Sequence, residues 1–217
     1  GPLKLSNRLS GPERRESIIS AAQGLFASKG FHGVSVDEIA RAVSVSPAIL
    51  YRHFASKQAL YNAVLEKFSQ QRQSYVDMVV NHGTSFEDAL AGMTQVYITY
   101  IEENPDILRI ELHSLLEGNP ATHAFFQNRW KSFTDYIEFG LNEYLPYDVP
   151  NREKTILSAG LMFQGMVREV LIQKCLQPHD RLIDLSLYEI SHELVALFLR
   201  SIGINKTQLS RKATISS

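Results

Sequence analysis

The sequence predicts an all-α fold, with an N-terminal three-helix helix-turn-helix domain followed by a larger helical domain. Two patterns predict the helices. Apolar residues recur at helical spacing through almost the whole chain, and no alternating run with hairpin turns appears. Ser, Asp, Pro and Gly punctuate these stretches where helix starts and stops need them. A third observation, charge, divides the chain. Residues 1–73 hold ten Lys/Arg and five Asp/Glu, and residues 74–217 hold twelve and eighteen, although the net charge is only −1. A basic first third joined to an acidic remainder suits a polyanion-binding module with a partner domain. Chance asymmetry is the plain alternative.

The elements follow in order. Residues 14–29 place Ile18, Ala22 and Leu25 on one stripe, with Ile19 and Phe26 beside it, and Gly30 ends that helix. Ser35 is an N-cap for "VDEIARAV", and Asp37 and Glu38 suit the dipole of its first turn. After the turn "SVS", Ser46 caps a helix with Pro47 at its first position, where a missing N–H costs nothing. Ser56 caps the next, whose stripe is Leu60, Val64 and Phe68. Longer helices are predicted over 86–103, from Asn104-Pro105 to about 117, and over 121–145, 151–177 and 180–202, with Pro178 separating the last two. The plan is a tail at 1–12, a helix-turn-helix domain at 13–58, a connecting helix at 59–81, a second domain at 82–204 and a polar tail at 205–217. Gly1-Pro2 has the form of a protease scar.

Composition is that of a soluble globular protein, 44% hydrophobic and 21% charged. No apolar run is expected to span a bilayer, and no signal peptide is read at the start. Cys175 is the single cysteine, which excludes an intrachain disulfide and fits a reducing cytoplasm. No H-E-x-x-H, G-x-S-x-G or phosphate-binding glycine loop occurs, and the seven histidines show no metal-ligand spacing. The expectation is therefore no catalysis, no metal and no cofactor.

"SVSPAILYRHF" (44–54) carries the sharpest signal. With Leu50 turned to the core, Pro47 and Phe54 fall within about 60° of it, at roughly 100° per residue. Ala48 and Arg52 fall outward with Val45 nearby, and Ile49 and Tyr51 occupy the flanks. A small residue at the start of such a helix permits close approach to base edges. Arg52 suits a bidentate contact to guanine or a phosphate, and Ile49 suits a thymine methyl. Tyr51, His53 and Lys57 can donate to phosphates. Double-stranded DNA is thus the expected partner, with the second helix in the major groove. Each residue also has a plain structural use: Tyr51 in packing, the serines in caps and turns. Arg41 reads as a solvated charge, and Lys4 and Arg8 as a disordered tail or a minor-groove arm.

"LFASKGFHGVSVDEIARAVSVSPAILYRHFASKQAL" (25–60) resembles the DNA-binding signature of the TetR family of bacterial regulators. The landmarks are Gly30-Phe31, Ser35, Ile39-Ala40, Val45-Ser46-Pro47, Tyr51, His53-Phe54 and Lys57. Ala48 and Ile49 depart from it, standing where glycine and a small or hydroxylated residue are frequent. The resemblance implies that Tyr51, His53 and Lys57 grip the DNA backbone. It implies contacts from the hydroxyls or main chain of Ser35, Ser44 and Ser46. Val45, Ala48, Ile49 and Arg52 would meet the groove beside Pro47.

For the second domain the resemblance implies a homodimer paired through 151–177 and 180–202, with Gly160 and Gly165 permitting close helix approach, so that the two copies read a palindromic operator. A buried central helix is the alternative reading of 151–177. It also implies a small-molecule effector, apolar or aromatic, held by Tyr97, Tyr100, Arg109, His113, Phe126, Trp130, Phe133, Phe163, Gln164 and Met166. Aromatics at helical spacing are equally the makings of a core. The expected function is a cytoplasmic, ligand-released repressor. An activator, or a sensor or carrier with little specific DNA binding, stands as the alternative.

Overall fold

The computed structural model describes residues 9–71, 84–177, 182 and 184–204. The reading of Lys4 and Arg8, the end of the connecting helix, the break at Pro178 and the C-terminal tail lie outside them. Among the described residues there are nine α-helices and no strand. They are α1 (Gly11–Lys29), α2 (Val36–Ala42), α3 (Pro47–His53), α4 (Lys57–Gln71), α5 (Phe86–Glu103), α6 (Pro105–Glu117), α7 (Pro120–Tyr144), α8 (Arg152–Cys175) and α9 (Leu187–Ser201). The chain forms two compact units, Gly1–Arg72 with Asp106–Phe125, and Gln73–Pro105 with Phe126–Ser217. The segment Asp106–Phe125, expected with 82–204, packs within the first unit.

The first unit is built on α1 against α4. Ile18, Ala22, Phe26, Leu60 and Val64 are fully buried between these helices and their neighbours. Each is worth about 1.5–3 kcal/mol of transfer free energy for a large apolar side chain, less for alanine. α1 begins earlier than its apolar stripe suggests, because Ser10 and Glu13 close a capping box. The Glu13 amide donates to Ser10 Oγ at 3.3 Å and the Ser10 amide to Glu13 Oε2 at 3.2 Å. Pro12 fits the first turn without losing a helical hydrogen bond. Gln23 Nε2 donates to Asp106 Oδ2 at 3.0 Å, joining α1 to α6. Gly30, at φ 77°, sits so close to Glu117 and His113 that a Cβ would collide with the carboxylate.

In the second unit α9 lies against α5 and α8, and α5 against α8. Ser85 caps α5 and a Ser186–Glu189 capping box starts α9, later than the apolar spacing from 180 suggests. Tyr97, Trp130, Phe133, Phe163 and Phe198 form a buried chain of rings, with centroids 5.0–6.2 Å apart. Arg152, the first residue of α8, reaches back to the end of α7. Its Nη2 donates to the carbonyls of Asn142 and Leu145 at 3.1 Å, and its guanidinium lies 4.8 Å from the Tyr147 ring centre.

α8 corrects one expectation. Its 24 residues have a mean hydropathy of 1.3 in their most apolar stretch, enough by length and composition to cross a membrane. The reason is that it is apolar on two sides. Ile156, Ala159, Gly160, Phe163, Val167 and Leu171 face inward, while Leu157, Leu161 and Met162 are exposed at 70, 71 and 55%. A strongly one-sided helix would dilute that hydropathy with a polar face. Gly160 is close-packed on Thr134 of α7, with a Cβ position 3.2 Å from its Cγ2, whereas Gly165 faces open space.

Gly140 of α7 lies directly against the buried ring of Phe86. A methyl at that position would overlap the ring, which is held from other sides by Tyr136 and Tyr144. Gly140→Ala should lower unfolding free energy by about 1–3 kcal/mol through overpacking, despite its better helix propensity, as read from urea melts. An unchanged or raised midpoint would show that Phe86 yields freely.

Candidate nucleic-acid interface

Two short helices and the turn between them define the site. α2 ends in a Schellman motif: the Ser44 amide donates to Arg41 O at 3.1 Å and the Val45 amide to Ala40 O at 3.0 Å. The motif needs a left-handed residue, and Ser44 supplies it at φ 55°. Ser46 then stops the turn and starts α3, its Oγ accepting from the Ile49 amide at 3.2 Å. Ser35 does the same for α2 through the Glu38 amide at 3.1 Å. Both serines are thus caps, and both remain exposed.

α3 is seven residues long, too short to hold itself. Leu50, fully buried, and Phe54, 4% exposed, tie it to the core. Arg15 of α1 lies with its guanidinium 5.0 Å from the Phe54 ring centre, a contact without a local sequence signal. With this side fixed, Pro47, Ala48, Tyr51 and Arg52 stand exposed, as do Ser44 and Ser46. Val45, Ile49 and His53 are half-buried at the edges. Pro47, expected on the inner side, is exposed because it sits at the helix mouth. Ten of the eleven residues proposed for the interface therefore lie on or beside this turn and helix, or, for Ser35, at the cap of α2.

Lys57 is the one that points elsewhere. Its Nζ donates to Phe31 O at 2.8 Å and Val34 O at 3.0 Å, and sits 4.2 Å from the Phe31 ring centre. Lys29 and Glu38 pair between α1 and α2. The Lys29 hydrogen bond holds the Glu38 carboxyl below its ordinary range. The pair's small stabilisation is present at neutral pH and is lost as acid protonates Glu38. Burial pushes the Tyr61 phenol up, as expected for a ring enclosed by Phe26 and Phe31.

The residues expected to hold an effector are divided between the two units. Tyr97, Trp130, Phe133 and Phe163 belong to the ring chain of the second unit, and Phe126 is buried in the same unit. Tyr100 and Gln164 are half-buried there. Met166 instead lines an open apolar groove between α8 and α9, about 690 Å³ in volume, with Met162, Val170, Leu194 and Leu197. Arg109, exposed, and His113, half-buried, belong to the first unit. Arg129 was not expected: it is 2% exposed, 5.2 Å from the Tyr100 ring centre. Its sequence neighbourhood is indistinguishable from that of a surface arginine. Among the described residues, no three His, Cys, Asp or Glu side chains converge on a possible metal position.

Among the described residues the architecture is helical, with an exposed helix-turn-helix in the first unit. Residues 18–64 match the family model of the bacterial regulatory proteins of the tetR family. The chain is 33% identical over 137 residues to the HTH-type transcriptional activator FasR of Mycolicibacterium smegmatis, covering 63% of each protein. It is 30% identical over 120 residues to the nucleoid occlusion factor SlmA of Haemophilus ducreyi, covering 54% of this chain and 59% of that one. The matches thus span less than two thirds of either relative. The fold matches that of a TetR-like transcriptional regulator from a Rhodococcus species with a TM-score of 0.70 at 16% identity, over 89% of this chain and 98% of that one. Residues 18–64 thus match the tetR-family DNA-binding region, and the fold of the chain is TetR-like.

The left-handed Ser44 gives the local test. The same motif ends α9, where Gly203 takes the left-handed place at φ 82° and Ile204 is buried behind it. A serine Cβ is penalised there and glycine is not. Ser44→Gly should raise unfolding free energy by about 1 kcal/mol, measured by urea denaturation. A loss of stability would mean that the serine side chain contributes more than its backbone costs.

Proposed function

We propose that this protein is a dimeric, sequence-specific DNA-binding regulator that reads a palindromic operator and answers to a small apolar or aromatic effector. One observation carries the reading. α3 is held by Leu50 and Phe54 so that Ala48, Tyr51 and Arg52 project together from a basic segment of the chain. Ala48 leaves room for the helix to approach base edges, and Arg52 offers a bidentate fork to guanine. Tyr51, and His53 at the edge, lie where phosphates flank the groove. Ser35, Ser44, Val45, Ser46, Pro47 and Ile49 complete the surface. Chromosomal DNA as the target places the protein in the bacterial cytoplasm. No catalytic step is assigned to it.

The second copy follows from the apolar outer faces of α8 and α9. A helix-turn-helix reads one half-site, so paired copies reading two half-sites are the usual solution. Leu157, Leu161, Met162, Tyr188 and Leu197 leave a broad apolar surface on those helices, and Gly165 allows close approach. The effector would act on the second unit, whose rings and flexible methionines can repack around a bulky guest. Repression relieved by ligand is the simplest coupling. The named role of FasR as an activator keeps activation as the second reading.

Selection of bound DNA from random oligonucleotides should return a palindrome; failure to enrich any sequence would sink the reading. Arg52→Ala should weaken binding of the selected duplex about tenfold or more and relax preference at one position per half-site. Uniform loss across all positions would make Arg52 a phosphate contact. Leu197→Glu should raise the dimer dissociation constant at least about 100-fold in sedimentation equilibrium while leaving helical content unchanged. Sedimentation of the unaltered protein as a monomer at micromolar concentration would remove the dimer.

A further inference from the structure

We propose that Lys57 is a positioning residue that clasps the α1–α2 loop to the start of α4, and not a phosphate ligand. The proposal corrects one member of the interface described above, and it rests on the DNA-binding reading only for its salt test. Lys57 is the first residue of α4, behind the Ser56 cap, whose Oγ accepts from the Ala59 amide at 3.0 Å. A cation there faces the positive end of the helix dipole, the least favourable end for it. An ammonium held at such a place needs acceptors, and Lys57 has two. The carbonyls of Phe31 and Val34, at 2.8 and 3.0 Å, occupy two of its three donors. The Phe31 ring closes over it at 4.2 Å. That ring in turn stands edge-on to Tyr61 of α4, at 5.1 Å, and stacks on Phe26 of α1 at 6.0 Å.

The loop so held ends at Ser35, the cap of α2. Lys57 therefore fixes where α2 begins, and through the α2–α3 turn where α3 points. The same device occurs a second time in the chain, away from the recognition helix. Arg152 is the first residue of α8, donates to the carbonyls of Asn142 and Leu145, and lies against the Tyr147 ring. In both places a first-position cation donates to backbone carbonyls of an earlier segment, two for Lys57 and three for Arg152, and lies against one aromatic ring.

The test compares full-length Lys57→Ala and Lys57→Gln with the unaltered chain. Two readouts are free of DNA: the melting temperature, and hydrogen exchange of the segment 30–35. The third is the salt dependence of affinity for one duplex, recovered from a random library by the unaltered protein. The clasp predicts a melting temperature lower by about 4 °C or more for Lys57→Ala. It predicts exchange at 30–35 faster by about tenfold, both effects being smaller in Lys57→Gln, and an unchanged salt slope in either variant. A phosphate ligand would instead make the slope shallower by about 0.9, which overturns the proposal whatever the melting temperature does. Unchanged melting and exchange overturn it as well. If Lys57→Ala fails to fold, that failure supports the clasp, and Lys57→Gln supplies the slope. If the unaltered protein recovers no duplex, the DNA-binding reading fails, while melting and exchange still decide the clasp.

Discussion

The placement of α3 depends on the burial of two side chains, Leu50 and Phe54. A seven-residue helix has too few internal hydrogen bonds to offset its own nucleation cost. Its direction is therefore borrowed from the core beneath it. Every property of the outer face follows from that loan. The helix period turns Ala48 and Arg52 away from Leu50, and the exposure of Tyr51 is the geometric complement of the burial of its neighbour. The Schellman turn at Ser44 and the cap at Ser46 set the angle of entry, while Arg15 covers the Phe54 ring from α1. The exposed face of α3 is thus placed by residues that are not part of it.

The second unit solves a different problem. Its rings bury deeply and pack on each other. Its apolar surplus lies outside, on α8 and α9. An inward stripe and an outward stripe on one helix raise its hydropathy into the range of a bilayer span. Gly160 and Gly165 illustrate the division: the first gives room to Thr134 inside, and the second faces open space.

Periodicity made the helices legible, and it made the inner and outer faces of α3 legible with them. The span of α5 was readable to the residue, because Ser85 and Asn104-Pro105 bracket it. The start of α1 was harder to place, since the apolar stripe begins a full turn or more after the Ser10 capping box. The partners of the long cations were not legible at all. Lys57, Arg129 and Arg152 each have several rotatable bonds, and the groups they reach are set by tertiary approach, not by spacing in the chain. The membership of Asp106–Phe125 was hidden for a similar reason. An amphipathic helix announces that it covers a core but not which one.

The discontinuity of the first unit bears on how the chain comes off the ribosome. Its helices α1 to α4 are made first, yet part of its wall, Asp106–Phe125, is made only after α5. Until then, Gly30 lacks the Glu117 and His113 side chains that fill the space beside it, and Gln23 lacks Asp106. The N-terminal helices would wait, partly assembled, for about fifty further residues, a delay of a few seconds at ordinary rates of synthesis. A fragment cut after α4 would preserve that waiting state, with every residue of the helix-turn-helix present and one side of its support missing.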